Sequence, residues 1–284
     1  ATLAYPLFMR WSSGIYILLG SRAAGIPDLI DAGGSGFINA VGGLTALSIV
    51  WLVGPRLGTY PPKGMPAAIP AHNQVFVLFG CMLAWVGWLG LNSAGAMLYV
   101  GMQPERSVLV IINTTFAAAA AGLTAAVVTR VRFRRPDASL IANGWMAGLV
   151  ASSAGCAMLK PATAIIAGIV AGTLVVVSVE WFELHLKIDD PCGSISVHAV
   201  CGIWGLLAVG IFSGSGAQFT AQIVGIATLL GLIFPLAYGL NWVLNRFIPY
   251  RVSPDGERQG LDLHELGADA YPEFVVHADE FLQR

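Results

Sequence analysis

A histidine within an apolar run is the residue whose type and position are best suited to chemistry. His198 follows the acidic pair Asp189–Asp190 by eight residues, inside the apolar stretch 195–213. Asp190 is suited to cap a helix that begins with Pro191 at its first position. An imidazole can donate, accept or carry a proton near neutral pH, and it is costly at this depth in an apolar helix. His198 is therefore either a functional group or a structural histidine hydrogen-bonded between helices.

The composition indicates what kind of protein positions this histidine. Hydrophobic residues make up 56% of the 284 residues, charged residues make up 11%, and the mean hydropathy is +0.72. Soluble domains contain about 25% charged residues, so this chain has too little charge to cover a water-facing surface. The net charge of -1 gives no basis for nucleic-acid binding. No nucleophile–base arrangement, phosphate loop, metal spacing or cofactor motif is visible, so we predict an integral membrane protein that contacts lipid and is not an enzyme.

Eight apolar segments are long enough to span a bilayer, since a spanning helix needs about 20 mostly apolar residues. They lie at 2–20, 37–55, 74–100, 107–129, 139–157, 163–184, 195–213 and 219–247. We therefore expect a transmembrane domain over 1–247 and a polar tail over 248–284. Nine Lys and Arg residues fall in one set of alternate loops with the tail, and three fall in the other set. This bias places the tail on the cytoplasmic or equivalent side.

Five motifs in a fixed order carry a resemblance to a known family. Around His198 the chain reads DDPCGSISVHAVCGIWGLLAVGIF, and the other motifs are DAGGSGFINAVGG at 31–43, WVGWLGLNSAGA at 85–96, SLIANGWMAGLVASSAGCAMLKPATAIIAG at 139–168 and GLDLHELGADAYPEF at 260–274. Over essentially its whole length the chain resembles the Amt/Mep/Rh ammonium transporters. That family has eleven helices per protomer and forms trimers. The resemblance implies an all-α membrane bundle of about eight helices, an N-terminally truncated form that corresponds to family helices four to eleven.

The resemblance also implies a set of pore residues. In the family, ammonium passes from an outer recruitment site, past phenylalanine gates, to two facing histidines. His198 stands at the second histidine position, whereas Asn39 stands at the first. Asn39 can still hydrogen-bond His198 but does not take up a proton at physiological pH. The expected pore-lining residues are His198, Asn39, Trp88 and Leu91.

Other family positions are also replaced. Ser13 and Gly95 occupy the places of the recruiting Trp and Ser, and Leu91 occupies that of a gating Phe. A Trp would offer a cation–π contact of about 0.5–2 kcal/mol, which Ser13 does not provide. Asp31 and Asp190 match the family's structural acids. Together these residues predict a degenerate pore on an intact scaffold.

Three functions follow from the resemblance as hypotheses. The first is an ammonium or ammonia transporter or channel homologue with a degenerate pore that no longer conducts as the family does. The second is a non-transporting accessory subunit of a larger membrane complex. The third is an ammonium sensor whose tail contacts a regulatory protein. The first and third are compatible with a homotrimer, and the second with other membrane subunits as partners.

Overall fold

The computed structural model describes residues 27–62, 65–67, 69, 71 and 73–268. The α-helices within this part of the chain are α1 (Val41–Val53), α2 (Gln74–Val100), α3 (Ser107–Phe133), α4 (Ala138–Ser153), α5 (Pro161–Trp181), α6 (Cys201–Phe212), α7 (Gly216–Thr228), α8 (Phe234–Phe247) and α9 (Pro254–Gln259). Further π-helical turns lead into α1 and α6, extend α5, join α7 to α8 and follow α9, at Ser35–Ala40, Ile195–Val200, Phe182–Leu186, Leu229–Ile233 and Asp262–Leu266. The predicted all-α fold is confirmed. The predicted span 2–20, with Ser13 inside it, lies outside the described residues, as does the tail from 269 onward.

Six helical segments of the described chain are long and apolar enough to cross a membrane. They are Ser35–Val53, Gln74–Val100, Pro104–Phe133, Pro161–Leu186, Ile195–Phe212 and Gly216–Phe247. Each overlaps one of the spans predicted from hydropathy, which supports a multi-pass membrane protein. The last segment ends at Phe247, directly before the predicted tail.

The predicted span 139–157 forms a shorter helix than expected. Helix α4 has 16 residues, about 24 Å at 1.5 Å per residue, against a hydrocarbon core of about 30 Å. Two backbone carbonyls at its C-terminal end accept hydrogen bonds from another segment. Ser153 and the next residue, Ala154, accept from the backbone N–H groups of Gly33 and Ala32 at 2.8 and 3.0 Å. The end of α4 therefore fixes the segment that leads into α1.

Small residues allow α3, α4 and α5 to pack backbone against backbone. A Cβ at Gly148 of α4 would lie 2.4 Å from the carbonyl oxygen of Ala117, and one at Gly168 of α5 would lie 2.3 Å from the same oxygen. Glycine and alanine at such contacts are typical of membrane helices, which associate through close packing rather than through the hydrophobic effect. These three helices are the most closely packed group in the described part of the chain.

The loop after α1 joins two other parts of the chain at one end of the bundle. The Arg56 guanidinium donates to both carboxylate oxygens of Asp189 at 2.8 and 2.7 Å. From the tail, Arg251 donates to the carbonyls of Val53 and Pro55 at 3.0 and 2.6 Å. The loop consequently connects the tail to the segment that leads into α6.

Candidate functional site

Asp31 holds the start of the first helix of the site. One of its carboxylate oxygens accepts hydrogen bonds from the backbone N–H groups of Gly36 and Phe37, both at 2.9 Å. Its other oxygen is buried and has no partner in the described part of the chain. A carboxylate at a helix N-terminus is stabilised by the unpaired N–H groups and the helix dipole. Two backbone hydrogen bonds thus tie Asp31 to the start of this helix.

Asp190 plays the corresponding part for the second helix. Its carboxylate accepts from the backbone N–H of Ile195 at 2.6 Å. The expectation that Pro191 takes the first helical position is wrong, because the chain makes a turn at Gly193 and the π-helical segment begins at Ile195. Gly193 has φ +68, a left-handed conformation that favours glycine.

The two helix starts share a local pattern that the sequence reasoning missed. Asp31–Asn39 reads DAGGSGFIN and Asp190–His198 reads DPCGSISVH, so both fit D-x-x-G-S-x-x-(I/V)-(N/H). Gly34, the counterpart of Gly193, also has a positive φ, at +87. In both copies the chain turns at the glycine and then enters a π-helical turn that carries the polar residue. Such turns occur frequently at functional sites, and the equal spacing was the signal that could have revealed the pairing.

A second pair of matched glycines lets the two helices cross closely. A Cβ at Gly43 would lie 2.2 Å from the backbone nitrogen of Ala199, and a Cβ at Gly202 would lie 2.5 Å from the carbonyl oxygen of Ser35. Each glycine follows its capping aspartate by twelve residues. Neither site leaves room for a side chain, so the backbones of the two helix starts are in direct contact.

This crossing brings Asn39 and His198 together. Oδ1 of Asn39 lies 2.9 Å from Nδ1 of His198, and Nδ2 of Asn39 donates to the carbonyl of Gly34 at 2.9 Å. The second bond fixes the orientation of the amide, so Oδ1 faces the imidazole and can only accept. Nδ1 of His198 must therefore carry a hydrogen, and in the neutral ring Nε2 keeps its lone pair. Asn39 is 3% exposed, so bulk water does not replace this contact.

The other predicted site residues lie in different settings. Trp88 is half-buried and donates from Nε1 to the hydroxyl of Ser153 at 2.9 Å, whereas Leu91 is 38% exposed. Gly95 is buried, and a Cβ there would lie 2.4 Å from the carbonyl oxygen of Ala32. The glycine at position 95 thus allows a close backbone contact, and it has no polar side chain. The pore-lining and recruitment roles of these residues stay predictions.

Asn92 and Asn113 are buried polar residues to which the sequence reasoning assigned no site role. Asn92 donates to Thr114 at 2.9 Å, and Asn113 donates to the carbonyls of Cys156 and Leu159 at 2.9 and 2.7 Å. The first bond joins α2 to α3, and the other two join α3 to the turn after α4.

Known proteins share both the sequence and the fold of this chain. Residues 1–271 match the model of the Ammonium Transporter Family. The chain is 36% identical to Ammonium transporter Amt2 of Archaeoglobus fulgidus, over 99% of this chain and 64% of that protein. The solved structure of Sensor Amt Protein is 33% identical with a TM-score of 0.78, covering 84% of this chain and 60% of that one. Rh50 of Nitrosomonas europaea shares the fold, with a TM-score of 0.68 at 22% identity over 92% of this chain and 68% of that chain.

The chain spans less than two thirds of the length of the first two of these proteins, at 64% and 60%. The Archaeoglobus fulgidus relative is named as a transporter. This name agrees with the prediction that the chain is not an enzyme. The family model nevertheless matches nearly every residue of the chain. Four of the five motifs lie within that match, and the fifth, at 260–274, ends just beyond it. The chain belongs to the ammonium transporter family.

Proposed function

We propose that this chain forms part of an ammonium or ammonia pore in which the Asn39–His198 pair is the binding group. The hydrogen bond between Oδ1 of Asn39 and Nδ1 of His198 is the observation that carries this proposal. Because Nδ1 donates, Nε2 of His198 is left as an acceptor for an N–H donor. Ammonia, ammonium and methylammonium all supply such donors, and a weakly hydrated site strengthens the bond they form.

The same pair excludes proton transfer between its two side chains. An asparagine amide does not take up a proton at physiological pH, so no proton passes between the two paired side chains. Leu91 gives no aromatic face to a cation, and Gly95 gives no hydroxyl. The pore is therefore degenerate: His198 is the acceptor at one of the two family histidine positions, and Leu91 and Gly95 replace a gating group and a recruiting group. We expect slow flux of the substrate without a relay through the paired side chains.

Uptake of radiolabelled methylammonium by proteoliposomes tests this function. The protein is purified from its native membrane with any subunits that accompany it. We expect uptake above that of empty vesicles and its loss in His198→Ala. His185→Ala is the matched control, because His185 stacks on Trp181 at the end of the bundle, 6.2 Å between ring centres, away from the pair. Uptake equal to that of empty vesicles would contradict the proposed pore function. The hypothesis of a non-transporting accessory subunit would then remain.

A sensor is the second candidate, and two observations favour it. The structure with a TM-score of 0.78 to this chain is that of a protein named as a sensor. In addition, Glu257 of the tail accepts from the backbone N–H of Leu57 at 2.7 Å, in the same loop as the Arg56–Asp189 ion pair. A ligand that shifts the start of α6 would therefore act on the tail through the contacts of this loop. Ammonium-dependent hydrogen exchange in 254–266 supports a sensor, and identical exchange with and without ammonium counts against it.

A further inference from the structure

A groove of about 310 Å³ lies on the surface of the bundle between α1 and α8. Its lining consists of Trp51 from α1 and of Phe234, Pro235 and Tyr238 from α8. The rings of Trp51 and Tyr238 meet edge to face, with 6.3 Å between their centres. Trp51 is 61% exposed, so the groove opens outward. Aromatic rings and a proline line it, so it suits a hydrocarbon chain.

The two helices that form the groove are held together beside it. Asn241 of α8 donates to the hydroxyl of Ser48 in α1 at 3.0 Å, and the Tyr250 hydroxyl donates to Asn241 at 3.0 Å. The groove lies where the π-helical turn Leu229–Ile233 passes into α8, which has Pro235 near its start. Such turns and prolines are common causes of a helix bend. The sequence of α8 thus accounts for a space at this position.

A positive charge lies further along the same side of α8. Trp242 follows Tyr238 by four residues, and Arg246 follows Trp242 by four. Residues four apart are neighbours on a helix surface, and eight residues rise about 12 Å. All three side chains are exposed. Among the described residues Arg246 has no ion-pair partner, whereas Arg251 is paired with Glu257. The charge of Arg246 is therefore uncompensated.

The order of these groups matches the layers of one membrane leaflet. The groove lies within the membrane-crossing segments Ser35–Val53 and Gly216–Phe247, and Arg246 lies at the end of the second. Trp and Tyr are enriched where the hydrocarbon meets the headgroups, and basic residues at that level attract anionic lipids. Half of a hydrocarbon core of about 30 Å is about 15 Å, so a chain that starts near Arg246 reaches the groove.

From this arrangement we infer that the groove binds one acyl chain of an anionic phospholipid, whose phosphate contacts Arg246. The lipid belongs to the leaflet on the side of the tail. A guanidinium matches a phosphate with paired N–H donors. A zwitterionic headgroup adds its own positive charge beside Arg246, which weakens this attraction. A soluble phosphate leaves the apolar groove unfilled. This site does not depend on whether the pore conducts.

Native mass spectrometry of the delipidated protein in a non-ionic detergent tests the site. The affinity for the first bound lipid is measured with phosphatidylglycerol and with phosphatidylcholine of identical chains, and glycerol phosphate serves as the chainless arm. We expect phosphatidylglycerol to bind more tightly than phosphatidylcholine, and glycerol phosphate not to compete. Arg246→Gln should weaken phosphatidylglycerol by about fivefold, the effect of one basic residue near an anionic surface. Trp51→Ala should weaken both lipids, and its melting temperature checks that it folds.

Two matched variants control for charge and for exposed tryptophan. Arg135 is exposed in the loop after α3, and Trp181 is half exposed at the end of α5, where it stacks on His185. Arg135→Gln and Trp181→Ala should keep the affinity of the wild type. Equal weakening by Arg246→Gln and Arg135→Gln would overturn the inference, because any positive charge would then serve. Unchanged affinity in Trp51→Ala would overturn it too, because the groove would then hold no chain.

Photochemical crosslinking in the native membrane identifies what covers the groove. The photoreactive residue p-benzoylphenylalanine takes the place of Trp51, or of Trp181 as the control. Irradiation should give phospholipid adducts at position 51 that are enriched in anionic lipid relative to the membrane, and adducts at position 181 that follow the membrane composition. A crosslink from position 51 to another polypeptide would overturn the inference, because a subunit would then occupy the groove.

Discussion

At the scale of single residues, Asn39 determines which nitrogen of His198 carries a hydrogen. Two facing histidines can exchange donor and acceptor, but an amide anchored to the Gly34 carbonyl cannot. The pair in this chain is therefore directional, with Nε2 always presented as the acceptor in the neutral ring. This property follows from an asparagine at a position where the resemblance implies a histidine, and from one backbone hydrogen bond.

We predict that Asn39→Leu will release His198 from this single tautomer. The substitution leaves the Nδ1–H group of His198 without its acceptor, at a cost of about 1–3 kcal/mol if the group stays buried. Nitrogen-15 NMR of labelled histidine should show a protonated Nδ1 and a bare Nε2 in the wild type, and a mixture in Asn39→Leu. Ser153→Ala, which removes the partner of Trp88, should leave the His198 signal unchanged. A wild type with protonated Nε2 would contradict the assignment.

The Arg56–Asp189 pair should make stability depend on pH. Burial alone would raise the pKa of Asp189, but hydrogen bonds from Arg56 and Thr59 outweigh it and lower the pKa below the ordinary 3.8. A depressed pKa in the folded state contributes stability above the unfolded value, and this is lost as pH falls through the folded value.

Asp189→Asn should therefore melt at a lower temperature than the wild type near pH 7, by a destabilisation of about 1 kcal/mol. The gap should close on acidification below the ordinary pKa of 3.8. Melting curves in detergent between neutral and acidic pH measure this effect. Asp255→Asn is the control, because its pair with Arg258 is exposed. A gap that stays constant through the acidic range would show that the pair does not act through the charge of Asp189.

At the scale of elements, the site depends on how closely two helix starts approach each other. The capping aspartates and positive-φ glycines set the direction of each π-helical turn. The crossing glycines, Gly43 and Gly202, then set the distance between the turns. The polar pair is thus a product of two matching local structures rather than of one loop.

Gly43→Ala should destabilise the protein by about 1–3 kcal/mol, because its methyl group would overlap the backbone of Ala199. The same change should weaken the Asn39–His198 contact and reduce methylammonium uptake. Gly42→Ala is a close control, since a Cβ at Gly42 meets nothing within 4 Å. Melting temperature and uptake are measured for both variants. Equal effects of the two changes would show that helix propensity, and not the crossing, is responsible.

At the scale of the whole molecule, the cation-rich loops and the tail come together. The loop residue Arg56 pairs with Asp189, Arg132 pairs with Glu180, and Arg251 of the tail binds the loop after α1. The arrangement agrees with the Lys and Arg bias that assigns these segments to one side of the membrane. The cytoplasmic or equivalent location of that side stays a prediction, as does a trimer.

Arg251→Ala should undock the tail without unfolding the bundle. The substitution removes hydrogen bonds to Val53 and Pro55 and an ion pair with Glu257 at 2.7 Å. Hydrogen exchange within 254–266 should become faster, while exchange in α3 stays slow. Arg258→Ala serves as the control because its partner Asp255 is largely exposed. Unchanged exchange in Arg251→Ala would mean that other contacts hold the tail.

The amino-acid sequence by itself determined the membrane class, the family and most of the helices. Long apolar runs specify spanning helices because lipid leaves backbone groups no partner outside a helix. The motifs also identified Asn39 and His198 as counterparts, 159 residues apart in sequence. The length of α4 was predicted less well. Hydropathy does not indicate that backbone carbonyls near the end of a helix accept hydrogen bonds from another segment.

Tertiary structure decided the features that depend on contacts between distant segments. The direction of the Asn39–His198 bond depends on where Gly34 places its carbonyl, and the need for glycine at 95 depends on the backbone of Ala32. Residue types and local spacing carry no information on such distances, because packing sets them only once the helices cross.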